Sequence, residues 1–268
     1  MGLEQHRHTA HATQREGRGP IGSGTAVTAT DVIRIGGEQA RTGRWRGDRH
    51  IAYLAPMPEY PAPSADFVRQ CLDVLAHRGF ERVVTGALSP LEQTGFLAAG
   101  FAVEQQLHLL GVDLDDIIDL RRTGCGPIPA RLRRGRRKDW DAVLTVDGSA
   151  FPPFWRLDEG GLVEAMSATP RFRFRVAETD GRICGYTVCG RAGRRGFVQR
   201  LAVDPDHQGM GIGCALLVDG LRWMGRRGVT RAVVNTQIGN DAALALYERV
   251  GFRRETVGLS VLSAGLTL

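Results

Sequence analysis

The stretch that most constrains this chain is VDPDHQGMGIGCALLVDG, Val203 to Gly220. In it Gly209, Gly211 and Gly213 stand at alternate positions, and an apolar helical pattern begins at once. Glycine lets a backbone approach a ligand with no Cβ in the way. Successive N–H groups at the start of a helix then face an anion, at the positive end of the helix dipole. A Rossmann loop needs Gly-x-Gly-x-x-Gly directly after a strand, with an acid closing the next strand. Here the sixth position is Cys214, Pro205 intervenes, and the next strand ends VVNTQ with no acid. A Walker loop needs Gly-Lys-Ser/Thr, which does not follow.

The hexapeptide QGMGIG, Gln208 to Gly213, has the form Q/R-x-x-G-x-G. It follows a strand-like run, RLAV, and an Asp-Pro turn. Further on, NTQIGNDAALALYERVGF carries N-x-x-A-x-x-L-Y-x-x-x-G-F. On these two signatures, in this order, the chain resembles the GNAT acetyltransferase superfamily. The resemblance spans about residues 130–260 and, more weakly, about 50–115. It implies an α/β GNAT fold, a mixed and mostly antiparallel sheet flanked by helices, preceded by a partial GNAT-like module.

The resemblance also implies acetyl-CoA as co-substrate, no metal, and direct transfer of acetyl to an amine in a ternary complex. Leu201, Ala202 and Val203 sit where a splayed strand lends backbone groups to the pantetheine arm. Gln208, Gly209, Met210, Gly211, Ile212, Gly213 and Cys214 sit where the pyrophosphate is cradled. Asn240 and Ala243 sit at the coenzyme contact of the second signature. Tyr247 sits where a phenol protonates the departing thiolate.

Some family members carry Glu five residues before the signature Asn. Here that position is Asn235, which accepts no proton. Asp158, Glu159 and Glu178 are unranked substitutes. Deprotonating a lysine amine at pH 7 costs about 4–5 kcal/mol, an α-amine only about 1 kcal/mol. A site without the usual carboxylate is easier to reconcile with an α-amine, or another amine of low pKa.

The first half echoes the second. RGFERVVTGALSPLEQTGFLAAGF and RGVTRAVVNTQIGNDAALALYERVGF both read helix end, strand, loop, short helix, Gly-Phe. Aligning the Gly-Phe ends places Phe96 at Tyr247 and Ser89 at Asn240. PEYPAPSA, without glycine, stands where a phosphate loop would be. The N-terminal module is therefore expected to bind no coenzyme. This layout is similar to that of the tandem GNAT enzymes of the mycothiol synthase family, which implies an alternative acceptor, a sugar-linked cysteine amine. A coenzyme-binding regulatory module without turnover is a further alternative.

The expected organisation is a disordered tail over residues 1–25, a degenerate GNAT-like module over 26–120, a linker over 121–138 and the catalytic domain over 129–268. Strands are expected at DVIRIGG and HIAYLAP, and a helix after Ser64 with apolar residues at Phe67, Cys71 and Leu75. With 268 residues and 43% hydrophobic content, a sizeable core is available. No apolar run spans a membrane and no signal-peptide core opens the chain, so a cytoplasmic protein, monomer or homodimer, is expected. The net charge of +6 is arginine-weighted, as in RLRRGRRK. That block reads as a solvated linker rather than a nucleic-acid contact, since no aromatics interleave for base stacking. The five cysteines have no zinc-like spacing and read as reduced, buried thiols. Cys184 and Cys189, five apart on one strand, are expected on opposite faces without a disulfide.

Overall fold

The computed structural model describes residues 31–57, 60–115 and 125–266; the expected N-terminal tail lies outside them. Two strands, β1 (Asp31–Ile35) and β2 (Glu38–Arg44), meet at Gly36-Gly37, both at positive φ, as a two-residue hairpin turn requires. Sequence reading missed β2, because only Ala40 and Thr42 are buried and the rest is polar. Then come β3 (Ile51–Pro56) and α1 (Ala65–His77), whose N-cap Ser64 accepts from Phe67 N at 3.2 Å. The expected stripe Phe67, Cys71 and Leu75 is buried. β4 (Arg82–Thr85), α2 (Pro90–Ala98) and β5 (Ala102–Asp113) complete the first half, with a Ser89–Glu92 capping box starting α2.

The second half runs β6 (Arg131–Arg134), α3 (Trp140–Ala150), α4 (Glu159–Ser167), β7 (Arg171–Thr179), β8 (Arg182–Ala192) and β9 (Arg195–Val203). It continues with α5 (Ile212–Gly225), β10 (Arg231–Gln237), α6 (Asp241–Val250), β11 (Arg253–Arg254) and β12 (Leu259–Gly265). The strands form one sheet in the order β1-β2-β3-β4-β12-β5-β10-β9-β8-β7-β6, with β11 also paired to β5. Among the described residues, β3–β4 and β9–β10 are the parallel pairs; the rest are antiparallel. Each parallel pair is joined by a helix, α1 or α5, so the echo seen in the sequence is an echo of topology. The last strand, β12, lies between β4 and β5 and completes the sheet of the first half. Helices α1, α2, α5 and α6 pack on one face, and α3 and α4 on the other.

Two expectations change. The arginine block is folded rather than a solvated linker: Arg131–Arg134 form edge strand β6, and Arg133 is held by Asp139 at 2.8 and 3.0 Å and by Glu178 at 2.7 Å. Cys184 and Cys189 both face α5, because a bulge places Cys184 as an extra residue of β8 against β7 and interrupts the alternation. Both remain free thiols, as expected.

Candidate active site

The parallel pairing of β9 with β10 ends at Val198↔Val234, while β8 stays paired to β9 as far as Val203. Gln199 is an extra residue in β9, a bulge opposite Val188 and Cys189 of β8. Beyond it Leu201, Ala202 and Val203 present one backbone edge that no strand occupies. A cavity of 510 Å³ opens at this splay, bounded by that edge, the glycine loop, α5 and α6.

The loop is shaped by its glycines. Gly209 and Gly211 have φ of 76° and 79°, the left-handed region that penalises a Cβ. Gly211 is the N-cap of α5, so the free N–H groups of the first turn face the cavity. Gly213 is helical and allows close packing instead: a Cβ there would lie 3.3 Å from Leu246 Cδ2 on α6. The Gln208 amide donates to Val203 O at 3.1 Å and ties the loop to the strand end.

Of the expected binding residues, Leu201, Ala202, Val203, Gln208, Gly209, Gly211, Ile212, Gly213, Cys214, Asn240, Ala243 and Tyr247 line this cavity. Met210 does not; it is exposed on the outside of the loop. Asn240 is the N-cap of α6, its Oδ1 accepting from Ala243 N at 3.2 Å. Tyr247 is 6% exposed, beside Phe252 with ring centroids 5.8 Å apart. Burial pushes its phenol well above the ordinary value, with Arg200 acting in the opposite sense. The phenol is thus protonated through neutral pH and able to donate.

Other lining residues were not found from the sequence: Phe151 from the end of α3, His207, and exposed Arg249 on α6. Phe151 is placed by a buried network. Asp147, fully buried, accepts from Arg200 Nε and Nη2 at 2.7 and 2.8 Å, Tyr186 Oη at 2.5 Å and Leu157 N at 2.7 Å. Arg200 also donates to Trp155 O at 2.7 Å, and its guanidinium lies 3.5 Å from the Phe151 ring centroid.

The substitute bases fare differently. Asp158 caps α4 by accepting from Gly161 N at 2.8 Å, Glu159 pairs with Arg137 at 2.9 Å, and Glu178 pairs with Arg133. None of the three lines the cavity. Asn235 is exposed on β10.

The reading of all five cysteines as reduced is corrected. Cys214, in the first turn of α5, forms a disulfide with Cys125, 89 residues earlier. Three residues past Cys125, Ile128 Cγ2 lies 3.3 Å from where a Cβ on Gly211 would sit. The segment entering β6 is therefore held against the glycine loop.

In the first half the counterpart positions pack into the core. Phe96, at the place of Tyr247, is fully buried in the core with Phe101. A Cβ on Gly95 would collide with the Pro63 carbonyl, so α2 sits directly on the start of α1. Pro58 and Glu59 of the PEYPAPSA stretch lie outside the described residues.

The family model for the acetyltransferase (GNAT) family matches residues 140–252. Mycothiol acetyltransferase of Amycolatopsis mediterranei (strain U-32) is 32% identical over 211 residues, covering 69% of this chain and 65% of that protein. Mycothiol acetyltransferase of Streptomyces coelicolor (strain ATCC BAA-471 / A3(2) / M145) is 41% identical over 124 residues, 43% of this chain and 40% of that protein. The chain thus spans less than two thirds of the length of the curated relatives it matches here. Among solved structures, a tandem GNAT protein from the clavulanic acid biosynthesis pathway superposes with a TM-score of 0.65 at 16% identity, covering 90% of this chain and 84% of that one. That likeness is one of fold, and it extends over both halves.

Proposed function

From a chain that carries a GNAT acetyltransferase domain over residues 140–252, we propose an N-acetyltransferase that moves acetyl from acetyl-CoA to an amine. The observation that carries this reading is the cavity at the β9–β10 splay, with the glycine loop at one part of its wall and Tyr247 at another. The pyrophosphate is held by the N–H groups of the first turn of α5, each charge-assisted bond contributing about 1.5–3 kcal/mol. Arg249 and His207 line the same cavity and add positive or hydrogen-bonding groups. The pantetheine arm lies along the free edge of Leu201–Val203, adding hydrogen bonds as a further strand would.

The neutral amine attacks the thioester carbonyl. A backbone N–H near Val203 stabilises the oxyanion. Collapse expels the coenzyme thiolate, which takes the Tyr247 proton. The ammonium of the tetrahedral intermediate loses its proton to water or to a base reached through water, and the Tyr247 phenolate takes a proton back from solvent. Since Asn235 replaces the carboxylate some family members use, an amine of low pKa is the acceptor class we favour. A second reading, a sugar-linked cysteine amine, is favoured by the likeness to the two mycothiol acetyltransferases.

The test is thiol release from acetyl-CoA against α-amino peptides, lysine peptides and cysteinyl amino sugars, with wild type beside Tyr247→Phe. Turnover on one class that falls in the variant supports the reading. Tight coenzyme binding with no turnover on any amine turns it towards a regulatory module.

A further inference from the structure

The Nε atoms of Arg46 and Arg41 are shut off from solvent and have no hydrogen-bond partner among the described residues. Arg46 lies in the 3₁₀ turn Trp45–Gly47 after β2, at φ 50°, a conformation that L residues rarely adopt. The turn brings it against the second half of the chain, where its Nη1 is 2.8 Å from the position of a Cβ on Gly161, in the first turn of α4. That turn is itself the positive end of a helix.

The carboxylates around Arg46 are shared with other groups. Arg200 faces Arg46 from β9 and adds to the positive field. The acids that also face it are Asp147, Asp158 and Glu164. Asp147 is taken by Arg200, Asp158 by the α4 cap, and Glu164 faces Tyr53. Arg41 stands one ladder step from Tyr53 on the same face of the sheet. Burial pushes the Arg46 guanidinium below its ordinary value. Arg46 is half-buried, with its Nε unsatisfied, and an anion at its solvent-facing end would offset that cost.

A run of side-chain contacts links the seam to the cavity wall at Phe151. Arg46 lies 4.8 Å from the Trp45 ring centroid. Trp45 meets Phe154 at 5.4 Å and Trp155 at 6.5 Å. The Trp155 carbonyl accepts from Arg200, which lies over the cavity wall Phe151 and immediately precedes Leu201. Tyr53, Phe154 and Trp155 are half-exposed and Glu164 is exposed, so the seam is open to solvent.

We propose that this seam between the two halves is the acceptor subsite, and that Arg46, assisted by Arg41, receives an anionic group of the acceptor, a carboxylate or phosphate, while its amine reaches the thioester past Arg200. The planar fork of a guanidinium suits either group. The proposal rests on the acetyltransferase reading above and narrows its acceptor to amines that carry a negative charge.

The test uses the full chain and paired acceptors that differ by one anionic group: a dipeptide free acid against its C-terminal amide, and an amino sugar against its 6-phosphate. Wild type should show at least a tenfold higher kcat/KM for the anionic member. Arg46→Met should abolish that preference and leave the Kd for coenzyme A unchanged; Arg46→Lys should keep part of it. No preference in wild type, or a preference that survives Arg46→Met, overturns the proposal. If coenzyme binds and no amine turns over, the acetyltransferase reading fails, and the anion site is judged by melting temperature. Inorganic phosphate or the free-acid dipeptide should then raise the Tm of wild type and not of Arg46→Met; equal shifts overturn it. A marked fall in the Tm of Arg46→Met without ligand would show a structural role and also overturn it.

Discussion

Tyr247 can act as a proton donor because the sheet and two helices bury it. Replacing it by Phe removes the hydroxyl and leaves the ring packed on Phe252. We expect kcat to fall about 10²-fold with the coenzyme Kd within twofold, as loss of a general acid does; calorimetry and steady-state rates would separate the two. Raised by burial, its phenol should produce no falling limb in the kcat profile up to pH 10. The place of Tyr247 in the cavity wall was legible in the sequence, because local spacing from Asn240 and Gly251 along one helix fixes it. The pairing of Arg200 with Asp147 was not, since 53 residues and three elements, α4, β7 and β8, separate them and only folding makes them a pair. Asp147→Asn leaves the buried Arg200 without its charge partner. A loss of about 3–5 kcal/mol in urea unfolding is expected.

At the scale of elements, the shape of the glycine loop was the most readable part, because glycine at positive φ is a backbone requirement written as a residue type. Gly211→Ala forces a Cβ into φ 79° and towards Ile128. It should cost about 1–2 kcal/mol of stability and weaken coenzyme binding, by calorimetry, about tenfold. Less readable were β2 and β6, which are short, polar and near or at the sheet edge, so few apolar positions mark them. The Cys125–Cys214 disulfide was also invisible, because a distant pair has no spacing rule and the partner is brought in by the segment entering β6. Cys125→Ser should lower stability by about 2–4 kcal/mol on a chain-entropy account. It should also raise the coenzyme Kd, since the loop loses its support; unchanged values in both would show the bond to be idle.

On the scale of the molecule, the chain builds two units of similar topology into one sheet, and the cavity described lies in the second. The echo of strand, helix and Gly-Phe was visible beforehand. The insertion of β12 between β4 and β5 was not, because strand order across a sheet depends on long-range pairing that periodicity does not encode. Tyr53, Tyr186 and Tyr247 are all raised from 10.0 by burial. In the unfolded chain they ionise near pH 10, and in the folded chain higher. Their contribution to stability is therefore complete below pH 10 and is lost as pH rises above it. Thermal melts should show that decline beginning near pH 10.

The central claim is that one cavity, at the β9–β10 splay, holds acetyl-CoA, and that the first half holds none. Calorimetric titration of acetyl-CoA into the full chain tests it most directly. The account predicts one site per chain, weakened by Gly211→Ala and retained in Phe96→Leu. Two sites per chain, or a single site insensitive to Gly211→Ala, would contradict it.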